Sequence, residues 1–187
     1  MPRYLVSGIA QLVSDVAAAL RESDVEVVEV DDIDDVPAAC AEAGPGAFDG
    51  YVQLPATFTV RGDTAVARVH HFFAEGVLAR FPAVAAALPA LKPDARLTFV
   101  TGVLPSDVST EDDVAARASL VRVLAHAARA DAKEGLRVTS LGSGSSPKEI
   151  AQAALGHGSM SGAIAAASEE DYSEWRMELL GMMWVET

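Results

Sequence analysis

The chain opens on a short β-rich apolar run, Arg3-Tyr4-Leu5-Val6-Ser7-Gly8, after which the spacing of apolar residues changes. Between Ile9 and Glu22, Leu12, Val13, Val16, Ala17 and Leu20 recur at helical intervals, which predicts a helix with one buried stripe. Val25 to Val30 is again dominated by β-branched residues and runs into Asp31 and Asp32. Strand, glycine turn, helix, strand and acidic end is the pattern of a mononucleotide-binding βαβ half.

Asp31 to Asp35 reads as an acidic turn. Val36 to Ala43 predicts a short helix, led by Pro37 and stopped by Gly44-Pro45-Gly46. Phe48 to Leu54 predicts the third strand, with Pro55 to Phe58 as its loop. Ala65 to Leu91 is helical in pattern, broken or kinked by Pro82 and Pro89. Arg96 to Thr101 predicts a strand ended by Gly102. Thr110-Glu111-Asp112-Asp113 has the form of a capping box and opens a long helix to about Lys133, with Gly135 as its stop. Leu136 to Leu141 predicts a further strand, and Lys148 to Leu155 a short helix. Gly156 to Gly162 is a loop of small residues, Glu169 to Leu180 an acidic-led helix, and Met182 to Val185 its end or a last strand. Strands alternating with helices predict a single α/β domain over residues 1–187, a Rossmann-like sandwich with a mostly parallel sheet. Val6, Val28, Val52, Phe99 and Val138 are expected in its strands.

Half the residues are hydrophobic and only 6% aromatic, so the core must be built from Ala, Val and Leu. The net charge of −13 repels nucleic-acid phosphates and anionic lipid, and neither is an expected partner. Cys40, the sole cysteine, has no partner for an internal disulfide; it reads as a small buried residue in a reducing compartment. With no signal-like N-terminus and no uninterrupted apolar run of membrane-spanning length, a cytoplasmic location is expected. His70 and His71 are adjacent and point apart on a helix, so no metal site is expected. Gly142 to Ser146 lacks the Lys-Ser/Thr of a phosphate loop, and Gly158 to Gly162 has Met160 where a nucleophile elbow has serine.

Several stretches together resemble the short-chain dehydrogenase/reductase family. Gly135-Leu136-Arg137-Val138, leading to Gly144, is similar to its G-I-R-V-N-A-V-A-P-G strand and loop. Arg96 to Gly102 resembles the R-I-V-N-I-S-S strand, Val52 to Ala56 stands where V-N-N-A-G would be, and Pro147 to Ala151 is similar to P-E-D-I-A. The likeness spans most of residues 3–155. Only Ile33 to Ala47 separates the second strand from the third, too little for the family's usual helix, strand and helix there. The segment that covers substrate after Gly144 is also shortened.

The resemblance implies a cofactor site at Gly8, Leu12, Ser14, Asp31, Asp32, Leu54 and Pro55. Leu12 and Ser14 hold the places of the second and third glycines of T-G-x-x-x-G-x-G, where a leucine obstructs the backbone's approach to a pyrophosphate. Asp31 and Asp32 stand where an acidic residue accepts hydrogen bonds from a ribose, which favours NAD over NADP if a cofactor binds at all. The catalytic positions fall on His70 for the asparagine, Gly102 with adjacent Thr101 for the serine, Asp113 for the tyrosine and Arg117 for the lysine. A carboxylate at Asp113 has no phenol proton to give a carbonyl. The expectation is a degenerate, non-catalytic relative without a bound cofactor, acting as a binding or partner subunit. The alternative is an NAD(H)-dependent oxidoreductase on a small carbonyl or alcohol. Ala115, Ala118, Val121, Ala128 and Ala130 give the long helix an apolar surface wider than one sheet contact needs, so a homodimer or pairing with a related subunit is expected.

Overall fold

The computed structural model describes residues 1–55, 62–71, 74, 78, 80–100, 124, 127–128, 135–141 and 145–157, with the backbone of 164–165. In chain order the elements are β1 (Arg3–Ser7), α1 (Ala10–Arg21), β2 (Glu26–Val30), α2 (Val36–Ala43), β3 (Phe48–Gln53), α3 (Ala65–His71), α4 (Arg80–Ala90), β4 (Leu91–Val100), β5 (Arg137–Leu141), α5 (Pro147–Leu155) and β6 (Ile164–Ala165). The sheet runs β2-β1-β3-β4-β5-β6. The first five strands are parallel and β6 joins β5 antiparallel.

Alternation along each strand separates two helical layers. Leu5, Tyr51, Leu97 and Phe99 pack with α2 and α4, while Tyr4, Val6, Val52 and Val100 pack with α1 and α5. Strands apolar on both faces are what a covered parallel sheet requires. In α1 the buried residues are Val13, Val16, Ala17 and Leu20, the stripe read from the sequence. Val6, Val52, Phe99 and Val138 are buried, whereas Val28 on β2 is half-buried. Cys40 lies buried in α2, and burial raises its thiol pKa, as suits an unreactive side chain.

The strand order bears on the short segment between β2 and β3. Removing the third strand from the dinucleotide-binding order 3-2-1-4-5-6 leaves the order of the five parallel strands here, with β2 at one edge and the antiparallel β6 added beyond β5. An exposed edge is a template for unwanted pairing unless charge blunts it. β2 carries Glu26 and Glu29, tied to Arg3 at 2.9 Å and to Arg21 at 2.7 Å.

Two expectations, both of element starts, are corrected. β4 begins at Leu91, five residues before the predicted Arg96. Leu91 already pairs with Phe48, Lys92 reaches Asp49, and the register then shifts across an irregular stretch where Asp94 has φ +62° and Pro93 is tolerated. α5 begins at Pro147, because Ser146 and Glu149 form the capping box: Glu149 N–H donates to Ser146 Oγ (3.3 Å) and Ser146 N–H to the Glu149 carboxylate (2.7 Å). Leu124 and Ala128, both helical, are buried in this chain's own core, so that part of the long helix's apolar surface is covered internally. Most of the helix predicted from Thr110 to Lys133 lies outside the described residues, as do Gly158 to Gly162, Glu169 to Leu180 and Met182 to Val185. Among the described residues no helix is long and apolar enough to cross a membrane, and no group of His, Cys, Asp or Glu is placed to hold a metal.

Candidate functional site

In an open α/β sheet, ligands bind beyond the carboxyl ends of the strands, where the order reverses. Here that place lies between β1 and β3. The turn from β1 into α1 is Gly8 and Ile9 alone, and Ile9 stands at the helix N-cap with no side-chain cap. Ile9 N–H donates to Pro55 O at 2.9 Å, Leu54 N–H to Ser7 O at 2.8 Å, and Gly8 N–H to Val30 O at 3.2 Å. Gly8 has φ +144°, and a Cβ there would stand 2.6 Å from Leu54 Cβ. The ends of β1 and β3 are thus laced together by backbone bonds, with Leu54 fully buried over Gly8.

Beneath this seam lies a polar cluster the sequence reading missed. Ser7, Tyr51, Gln53 and Arg80 are all buried, Arg80 to 5% exposure. Tyr51 and Ser7 share a hydrogen bond of 2.8 Å between their hydroxyls. Gln53 Nε2 donates to the Tyr51 hydroxyl (3.2 Å) and to Arg80 O (3.1 Å). Arg80 Nε donates to Gln53 Oε1 (2.9 Å), and its Nη2 to the carbonyls of Gln53 (3.2 Å) and Val100 (2.9 Å). The guanidinium bridges β3 and β4 at their carboxyl ends with carbonyls as its acceptors; among the described residues no carboxylate pairs with it. The available signal was a lone charge in the apolar run Val77-Leu78-Ala79-Arg80-Phe81.

Burial lowers the Arg80 pKa to about 10, against the smaller opposing effect of Tyr51, so it stays cationic at neutral pH. Burial pushes the Tyr51 phenol up to about 12, partly offset by its bonds to Ser7 and Gln53 and by the Arg80 charge. Tyr51 therefore stabilises the fold fully below pH 10, where its unfolded phenol is still protonated, and that contribution fades between pH 10 and 12. Tyr51→Phe should cost about 1–2 kcal/mol at pH 7 through two lost hydrogen bonds. The gap to the unaltered protein should narrow above pH 10. Urea melts at pH 8 and 11 measure both, and a gap of constant size would show that Tyr51 titrates as an exposed phenol.

The residues predicted for a cofactor are spread around this seam. Gly8, Leu54 and Pro55 meet there, as described. Leu12 is the third residue of α1 and packs, half-buried, against the apolar cluster containing Val6, Val13 and Val16; it does not stand in a loop. Ser14 is exposed, and its hydroxyl donates to Glu29 at 3.2 Å. Asp31 is exposed, and Asp32 accepts from Asp34 N–H at 3.0 Å to cap the turn Ile33–Asp35. His70 is exposed on α3. Thr101, Gly102, Asp113 and Arg117 lie outside the described residues.

No protein-family profile matches this sequence, and no curated protein matches it. Solved structures do. A protein assigned as a short-chain alcohol dehydrogenase from Burkholderia multivorans matches with a TM-score of 0.58 at 14% identity, over 83% of this chain and 89% of that one. BdcA (YjgI) from E. coli matches with a TM-score of 0.53 at 16% identity, over 82% and 87%. The chain has a short-chain-dehydrogenase-like, Rossmann-type fold.

Proposed function

We propose that this chain is a non-catalytic protein of short-chain-dehydrogenase-like fold that acts as a binding or partner subunit and does not carry a nicotinamide cofactor. The observation behind this reading is the two-residue turn Gly8–Ile9, whose second amide is already bonded to Pro55 O. A dinucleotide needs glycines where its pyrophosphate meets the helix N-terminus. In this chain the corresponding Leu12 and Ser14 belong to α1, one turned to the core and the other to Glu29. Exposed Asp31, Asp32, Asp34 and Asp35 follow directly on β2 and add repulsion toward a phosphate dianion. The partner would be a second copy or a related subunit.

Calorimetry with NADH should give no saturable heat at micromolar concentrations, and light scattering at tens of micromolar should give twice the 19.5 kDa chain mass. Low-micromolar binding of NADH, with NADH-dependent reduction of a small carbonyl, would establish the alternative, an NAD(H)-dependent oxidoreductase. A monomeric mass would exclude pairing with itself and leave a related subunit as the partner to test by co-purification.

A further inference from the structure

At the opposite end of the sheet, the amino ends of β1, β3 and β4 border a cavity of about 470 Å³, within the ordinary size range of small-molecule sites. Its walls include Tyr4, Asp49, Asp94, Arg96, Leu155 and His157. Tyr4, Gly50, Arg96 and Arg137 are register neighbours across β1, β3, β4 and β5. The Tyr4 ring covers Gly50, where a Cβ would collide with it, and the Tyr4 hydroxyl donates to Ala154 O at 3.0 Å. The Arg96 guanidinium lies against Gly156, just past the end of α5.

Arg96 donates no hydrogen bond to the end of that helix. Three of the last four carbonyls of α5 already have donors: Gln152 from His157 N–H (2.8 Å), Ala153 from Gly156 N–H (3.0 Å) and Ala154 from Tyr4. Nearby Lys92 is engaged with Asp49 at 2.8 Å, and Asp49 also accepts from Arg3 N–H. Acidic residues outnumber Lys and Arg by 27 to 14, yet no ion pair or hydrogen bond ties Arg96 or Arg137 to a described residue. Like charges at directly facing strand positions are destabilising. Asp49 and Asp94 share the cavity wall, but Asp49 is engaged with Lys92 and neither pairs with Arg96, so the donors of Arg96 are open to an anion from outside.

We propose that this cavity binds a small molecule through a carboxylate or phosphate group, anchored by Arg96, while Val25 and Leu155 face the rest of the ligand and Arg137, beside Arg96 on β5 but not in the cavity wall, adds positive charge nearby. Guanidinium donors pair with either oxyanion by charge-assisted hydrogen bonds. This site is independent of the crevice at the carboxyl ends of the strands. The net charge of −13 opposes any anion at long range, so affinity for a bare probe should be millimolar.

The test is a two-dimensional ¹H–¹⁵N NMR titration of the full chain with inorganic phosphate and, separately, with hexanoate, at fixed pH and at ionic strength held constant with sodium chloride. Saturable shifts of the Gly156 and His157 amides and the Arg96 Nε–H are expected with at least one anion. Phosphate alone would assign a phosphorylated ligand, hexanoate alone a carboxylate with an apolar chain, and both the shared oxyanion chemistry. Arg96→Gln should weaken binding about tenfold or more. Should that variant fail to fold, Arg96→Lys, which keeps the charge without the fork, should weaken it several-fold. No saturable shift from either anion up to about 50 mM, or binding unchanged in the folded variant, would overturn the proposal.

Discussion

Arg80→Met should destabilise the protein by about 3 kcal/mol, seen as a lower urea midpoint at unchanged slope. Two effects compete. Removing a buried guanidinium relieves the cost of its desolvation, and in some proteins a buried ionic group has been replaced by apolar residues with a gain in stability. That gain requires removal of both sides of the interaction. Here Arg80 serves Gln53 Oε1 and the carbonyls of Gln53 and Val100, and two of those three acceptors are main chain. A substitution cannot delete them, and each buried acceptor left without a donor costs about 1–3 kcal/mol. The orphaned carbonyls therefore outweigh the relieved charge. Arg80→Lys should recover part of the loss, since an ammonium keeps the charge without the planar fork. A midpoint equal to that of the unaltered protein would mean that water satisfies these carbonyls.

The second large effect is expected at Gly8. Gly8→Ala should cost about 3 kcal/mol, from two sources of similar size. Its φ of +144° is one that side-chain-bearing residues rarely adopt, and the new Cβ would meet Leu54 Cβ at 2.6 Å and Pro55 O at 2.8 Å. The second of those neighbours is backbone and has no rotamer to change. Gly44→Ala separates the two sources. Gly44 has φ +83° and nothing within 4 Å of its added Cβ, so only the conformational cost of about 1 kcal/mol applies. Thermal or urea melts of the two variants side by side measure the crowding directly; equal losses would show that Leu54 and Pro55 move aside.

What could be read from the sequence was set by local chemistry. α1, α2 and the first three strands were legible because their apolar spacing, their prolines and their glycines act within a few residues. The early start of β4 was not, because Leu91 to Ala95 is extended by pairing with residues 43 or more positions earlier, not by its own composition. The capping box at Ser146 was legible in principle, since Ser146-Pro147-Lys148-Glu149 has the required spacing, but a glycine-serine run in front of it suggested only a loop. At the crevice the family pattern located Gly8, Leu54 and Pro55, and those residues do meet. Ser7, Tyr51, Gln53 and Arg80 escaped because each is unremarkable alone. A serine ending a strand and an arginine opening a helix gain significance only when folding places them together in a dry interior. Leu12 shows two readings in conflict: the family motif gives its place to a glycine of the phosphate-binding turn, whereas its own apolar spacing assigns it to the helix, and a turn of two residues leaves it in α1.

The four members of that interior cluster come from two strands, β1 and β3, and the start of helix α4, and their hydrogen bonds are mutually dependent. Gln53 holds both Tyr51 and Arg80, and Arg80 fixes which way the Gln53 amide points. Loss of any one strands the others in a place water does not reach. Heredity should therefore treat them as one character. Natural descendants of this chain should keep all four together or exchange them together for an apolar set, and lineages with only one or two replaced should be rare.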